Sequence, residues 1–208
     1  MIIVYVESNF VLELVLEQEE FYFCQQILEL SSQKKIKLVL PAYSLVEPNE
    51  KLIRNARQRK QIYNNLKQEL MQLKRSKSYK KYITNIDDHL EYLLIKSEEK
   101  ERRAFQQIQK KLIEFGEIIP LNVEIIKKIH EENIEEFYNL SPQDAVVFCS
   151  IMNHLKKLSP STSYFLNKNS KDFIKNLDIL EILKDFNCQI ISTFNAGYHR
   201  ILSHLKQD

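Results

Sequence analysis

Four acidic residues stand at the points of this chain where carboxylates could handle phosphate: Glu7 after the apolar run IIVYV, Glu47 after LVLPAYSLV, Asp144 in LSPQDAVVF and Asp172 in YFLNKNSKDF. In an open α/β sheet, ligands bind beyond the carboxyl ends of the strands, so acids placed just after strands, or at the start of the helices that follow, can converge on one edge. Carboxylates gathered without histidine or cysteine partners select a hard cation such as Mg²⁺ or Mn²⁺. Two such ions could polarise a phosphodiester, lower the pKa of a bound water and stabilise the leaving oxygen. Like charges held this close demand a cation, because otherwise one carboxyl takes a proton.

Each acid also has a purely structural reading. Asp144 completes Ser141-Pro142-Gln143-Asp144, which resembles a capping box. Glu47 fits a surface position on a helix. Asp172 can cap the helix that begins near it, with Asn169 or Ser170 as rivals. Glu7 is the hardest to explain structurally, since an acid at the end of a fully apolar strand has few structural reasons to be there.

The elements that must position these residues are legible as apolar runs. IIVYV (2–6) and IKLVL (36–40) are continuous runs rich in β-branched residues, which suit strands buried on both faces of a parallel sheet. Ser8 or Asn9 is placed to cap the next helix, whose apolar spacing runs from Phe10 to about Leu30. Pro41 fits the start of the following helix, and Pro48 is expected to kink or interrupt it. From about 49 to 115 the text changes to long Lys-, Glu-, Gln- and Leu-rich stretches, read as a helical hairpin with its turn in SKSYKKYITNID. After Gly116 the alternation resumes: a short strand or link at IIPLN, an amphipathic helix over 123–138, and a helix capped by Ser141 running to about Lys157. SYFLN (163–167) reads as a strand, Lys171 to Asp185 as a helix, CQIIS (188–192) as a strand, and the tail from Ala196 as a last helix. Strands separated by helices imply a three-layer α/β/α sandwich with a central, mostly parallel sheet, carrying a long helical hairpin insertion at about 50–115 of a single 1–208 domain.

Composition bounds the function classes. The 208 residues are 44% hydrophobic and 28% charged, with two glycines and five prolines, an ordinary helix-rich globular balance. No apolar run approaches the length that spans a bilayer and no cleavable leader precedes IIVYV, so no membrane partner and a cytoplasmic protein are expected. Cys24, Cys149 and Cys188 sit apart inside apolar segments and read as buried thiols. His89, His130, His154, His199 and His204 lack ligand spacing or a nucleophile partner and read as incidental.

Charge is unevenly spread. Residues 51–81 hold Lys51, Arg54, Arg57, Arg59, Lys60, Lys67, Lys74, Arg75, Lys77, Lys80 and Lys81 against the single acid Glu69, a charge of +10 in a chain whose net charge is +2, so the remainder carries −8. A polyanion would meet that element first. From Arg54 onward these side chains are candidates for phosphate contacts that do not read bases. Tyr63, Tyr79 and Tyr82 could stack on single-stranded bases, or could instead pack the hairpin.

Four segments together resemble the PIN-domain nucleases. VYVESNFVLELVL is similar to the family's opening strand, acid, Ser/Thr-Asn and helix; LVLPAYSLVEP to its second acid-bearing element; LSPQDAVVFCSI to its Asp-Ala helix start; YFLNKNSKDF to its closing strand and polar turn. The segments cover 1–50 and 140–175 in the family's order. The resemblance implies an α/β/α fold cleaving RNA, with Mg²⁺ or Mn²⁺ held by Glu7, Glu47, Asp144 and Asp172. Ser8 and Asn9 match site-orienting positions. Glu7 stands where the family usually has Asp. The fourth acid of many relatives falls where Asn169 is here, leaving Asp172 and Asn169 as alternatives. Two functions follow: a metal-dependent endoribonuclease acting on single-stranded RNA, or a catalytically weak or inactive PIN-like module that binds nucleic acid or a partner protein through its basic insertion. A toxin-type setting, with an antitoxin or other inhibitor protein, and a homodimer are the further associations the resemblance leaves open.

Overall fold

The computed structural model describes residues 1–83, 86–168, 173 and 175–206. The chain forms two compact units, Met1–Pro48 with Ile108–Asp208, and Asn49–Gln107.

The first unit is built on five parallel strands, β1 (Ile2–Val6), β2 (Ile36–Pro41), β3 (Gly116–Ile119), β4 (Ser163–Leu166) and β5 (Cys188–Ile191), in the order β3-β2-β1-β4-β5. All five residues of β1 are buried, as its unbroken apolar text requires of a central strand covered on both faces. It pairs with β2 in the register Val4↔Leu38 and with β4 in the register Val4↔Tyr164. One face, through Ile3 and Tyr5, joins a core containing Ile125, Phe148, Ile151, Leu155, Phe165, Ile179 and Leu183. That core is contributed by α7 (Val123–Glu131), α9 (Pro142–Leu158) and α10 (Leu177–Asp185). The other face is covered by α1 (Ser8–Leu16), α2 (Phe21–Ser32) and α11 (Phe194–Leu205), where Phe10 meets Phe194 edge-on with ring centroids 5.3 Å apart. This is the expected three-layer α/β/α arrangement. Among the described residues, no helix is long and apolar enough to cross a membrane.

Several boundaries differ from the sequence expectation. The helix expected over 10–30 is two helices, because Glu17 adopts a left-handed conformation (φ 51°) that ends α1. The helix expected over 123–138 is likewise broken: Asn133 (φ 47°) separates α7 from α8 (Ile134–Phe137). Left-handed backbone is tolerated by asparagine but carries no strong signal in a glutamate. Pro41 closes β2 instead of opening a helix; the next residue, Ala42, supplies the N–H to Ile119 O at 2.8 Å. The helix α3 (Tyr43–Leu73) continues through Pro48. Of the stretch expected to be a helix from Lys171, the helix α10 covers Leu177–Asp185 with Asn176 as its cap, while Lys171, Asp172 and Ile174 lie outside the described residues.

The second unit holds most of α3, then α4 (Lys80–Ile83), α5 (Ile86–Glu91), a π-helical turn (Tyr92–Lys96) and the first part of α6 (Ser97–Phe115). Within it, Arg59 grips Glu101 through two N–H···O bonds of 2.6 Å, joining α3 to α6 as a hairpin requires. The turn is longer than a simple hairpin loop: α3 stops at Leu73 and short helices fill the expected turn segment, of which Thr84 and Asn85 lie outside the described residues.

Candidate functional site

Glu7 leaves the carboxyl end of β1 in an extended conformation (φ −129°, ψ −169°) and is itself the N-cap of α1, its Oε2 accepting from Asn9 N at 3.0 Å. This corrects the expectation that Ser8 or Asn9 caps that helix, and it gives Glu7 a structural duty the sequence did not suggest. The cap uses one oxygen. The other, Oε1, is buried and has no hydrogen-bond partner among the described residues. Burial pushes the carboxyl up to about 7; the Asn9 hydrogen bonds oppose that shift, and the charges of Glu47 and Asp144 add to it.

Separate hydrogen bonds hold the other two acids. Glu47 lies in the second turn of α3, half-buried, and its Oε2 accepts from Ser8 Oγ in a short hydrogen bond. Ser8 thereby ties the first acid's neighbour to the second acid across 39 residues. Asp144 is in the first turn of α9, where the capping box forms as read: Asp144 N donates to Ser141 Oγ at 3.2 Å and Ser141 Oγ donates to Asp144 Oδ2 at 2.6 Å. Glu7, Glu47 and Asp144 thus gather at the carboxyl edge of the sheet. Asp172 and Asn169 lie outside the described residues, as does Ser170. Among the described residues, no three carboxylate, imidazole or thiol groups stand close enough to hold one ion together. The donor chemistry is nonetheless the kind a hard cation takes: oxygens alone, one of them a buried carboxylate oxygen with no donor among the described residues. Oxygen donors of this kind suit a hard cation such as Mg²⁺ or Mn²⁺.

A second charged cluster fixes the neighbouring backbone. Glu13, buried in α1, pairs with Lys168 at 2.6 Å and accepts from Glu20 N at 2.8 Å. Glu20 in turn accepts from both Phe194 N (3.1 Å) and Asn195 N (3.2 Å). The polar end of β4 and the start of α11 are therefore held to the α1–α2 turn by carboxylates.

The basic residues of the second unit are mostly exposed: Arg54, Arg57, Lys60, Arg75, Lys77, Lys80 and Lys81 face solvent, and Lys67 and Lys74 are half-buried. Arg59 is engaged by Glu101, which raises its pKa through hydrogen bonding. Tyr63 is buried and packs the unit, with the Lys67 ammonium 5.3 Å from its ring centroid; Tyr79 and Tyr82 are exposed.

Sequence reading missed the polar chain across the sheet. Tyr5 OH meets His154 Nδ1 at 2.8 Å, His154 Nε2 meets Glu117 Oε1 at 3.2 Å, and Lys37 pairs with Glu117. The signal was Tyr5 itself: a tyrosine in a strand buried on both faces needs a partner for its hydroxyl. The three cysteines are free and buried as expected, burial raising Cys149 to about 11 and Cys188 to about 12.

In a parallel α/β/α sandwich, the carboxyl edge of the central strands, where these acids lie, is where ligands bind. The PIN domain family's sequence model matches residues 4–173, and the chain belongs to that family. Among solved structures it is similar to VapBC2 from Rickettsia felis bound to a DNA fragment from their promoter, at 11% identity and a TM-score of 0.45, over 91% of this chain and 97% of that one. A search of curated proteins gives no match.

Proposed function

We propose that the protein is a metal-dependent endoribonuclease whose carboxylate edge hydrolyses RNA phosphodiester bonds. The observation that carries this reading is Glu7: a buried carboxylate with one oxygen unpartnered among the described residues, raised to about 7 by burial and by Glu47 and Asp144, is costly to keep unless a cation binds beside it. Glu7, Glu47 and Asp144 would hold Mg²⁺ or Mn²⁺, with Asp172 or the position of Asn169 completing the set. Bound there, the cation would lower the pKa of the attacking water and offset charge on the leaving oxygen.

The remaining work falls to this chain's own residues. Ser8 orients Glu47 through its hydroxyl, and the backbone of Asn9 orients Glu7. The Ser141 hydroxyl fixes the Asp144 carboxylate at the start of α9, where the helix N-terminus also favours negative charge, including that of a phosphate. The exposed basic residues of α3 and α4 would contact RNA phosphates, and Tyr79 and Tyr82 would stack on unpaired bases. Arg59 is left out of this set because Glu101 occupies its guanidinium. On this reading an antitoxin-type inhibitor would act by covering the carboxylate edge.

The test is Asp144→Asn. This substitution keeps the acceptor for the Ser141 hydroxyl and is expected to abolish Mg²⁺- or Mn²⁺-dependent cleavage of single-stranded RNA with the fold intact by circular dichroism. Cleavage undiminished in that variant overturns the assignment. If the parent protein binds RNA but does not cleave it with either ion, the chain is instead a binding module of the PIN fold.

A further inference from the structure

At the end of the sheet opposite Glu7, where β4 and β5 begin, a cavity of about 700 Å³ opens between the strands, α10 and α11. Among the described residues, its lining contains no aspartate or glutamate. Two cations enter it from different helices, Lys184 from α10 and Arg200 from α11, and neither makes an ion pair among the described residues. His204, one turn beyond Arg200, meets Tyr164 OH at its Nδ1 (3.1 Å), which leaves Nε2 for another partner. The Ser161 and Thr162 hydroxyls line the strand side of the opening. Helix dipoles account for Lys184 and His204, which stand in the last turns of their helices, but not for Arg200, which is placed mid-helix. Like charges lining one cavity with no counter-charge among the described residues repel one another, and an anion that accepts from both relieves that repulsion.

We propose that this cavity is a second ligand site, distinct from the carboxylate edge, that binds a nucleotide-sized phosphomonoester. Lys184 and Arg200 take the phosphate, with the Ser161 and Thr162 hydroxyls and His204 Nε2 as supporting donors. Leu180 and Ile190 give the same cavity an apolar wall for the uncharged part of the ligand. The volume falls within the range of small-molecule pockets, roughly 300–1,000 Å³.

The probe is AMP, titrated by calorimetry into the full-length protein in EDTA, so that the carboxylate edge and its metal play no part. Adenosine and inorganic phosphate are the comparison ligands. AMP is expected to bind at least about tenfold more tightly than adenosine, and the Lys184→Ala/Arg200→Ala double variant is expected to lose at least about tenfold in AMP affinity. Both cations are exposed, so the double variant should fold, which its thermal transition will show. Inorganic phosphate binding as tightly as AMP would assign the site to the free anion and overturn the nucleotide-sized ligand. No heat from AMP up to about 10 mM, or equal affinity in the parent and the double variant, overturns the site itself. Since the measurement is made without a divalent cation, failure of the ribonuclease reading leaves this result unaffected.

Discussion

Replacing Glu7 by glutamine is expected to stabilise the metal-free protein at neutral and alkaline pH. The carboxyl ordinarily titrates at 4.5 and is raised to about 7 in the fold, first by burial and then by Glu47 and Asp144, against the Asn9 hydrogen bonds. A raised carboxyl favours its protonated form when folded. The native protein therefore has its full stability below about pH 4.5 and loses part of it as pH rises through 7, where Glu7 must ionise in place. At about 1.4 kcal/mol per pKa unit, that loss is about 3 kcal/mol. Glutamine keeps an oxygen to accept from Asn9 N and offers an amide to the nearby carboxylates, without the charge. For a chain of this size 3 kcal/mol corresponds to about 6–12 °C in Tm. Thermal melts of the two proteins in EDTA at pH 4.5, 6 and 8 measure it: the curves should nearly coincide at the lowest pH and diverge in favour of Glu7→Gln above 7. Millimolar Mn²⁺ at pH 8 should recover the difference for the parent and do little for the variant. Equal stability of the two proteins at pH 8, or a less stable variant there, would refute the claim that Glu7 is held ionised at a cost.

Four further variants probe the same unit and the basic element. Lys168→Met should cost about 3 kcal/mol in urea denaturation, because Glu13 is left charged and 2% exposed, whereas Glu13→Gln should cost less, since Lys168 can turn to water; equal costs would contradict the asymmetry. Gly197→Ala places a Cβ 2.5 Å from a methyl of the fully buried Leu166, and its overpacking, about 1–3 kcal/mol, should outweigh the better helix propensity of alanine and lower Tm; a higher Tm would show that Leu166 gives way. Changing Lys77, Lys80 and Lys81 together to glutamate should weaken RNA binding and flatten its dependence on salt, measured by fluorescence anisotropy at several NaCl concentrations, while thermal stability stays within about 1 kcal/mol.

What could be read from the text divides along physical lines. The strands were legible because a parallel sheet buries both faces of β1 and β2, so their residues cannot alternate with polar ones. The start of α9 was legible because Ser141, Pro142 and Asp144 act within one turn. The breaks at Glu17 and Asn133 were not, since a single left-handed residue inside an apolar rhythm leaves the rhythm almost unchanged. The cap formed by Glu7 was hidden by the commoner capping residues beside it, Ser8 and Asn9. Partnerships spanning the chain were hidden for a different reason. Ser8 meets Glu47, and Tyr5 meets His154 across 149 residues, and no local pattern encodes such distances.

The strand order bears on how this chain folds as it is made. β1 emerges first and becomes the middle of the sheet, but the partner for one of its edges is β4, whose register joins Ile3 to Ser163. Until the ribosome has released that region, an entirely apolar strand has an open edge, and the N-terminus of α11 has yet to meet the Glu20 carboxylate that caps it. Non-local pairing of this kind slows folding and leaves strand edges exposed to other chains. The nascent protein is thus most vulnerable to aggregation while residues 42–162 are being synthesised, the stretch that contains its charged helical element.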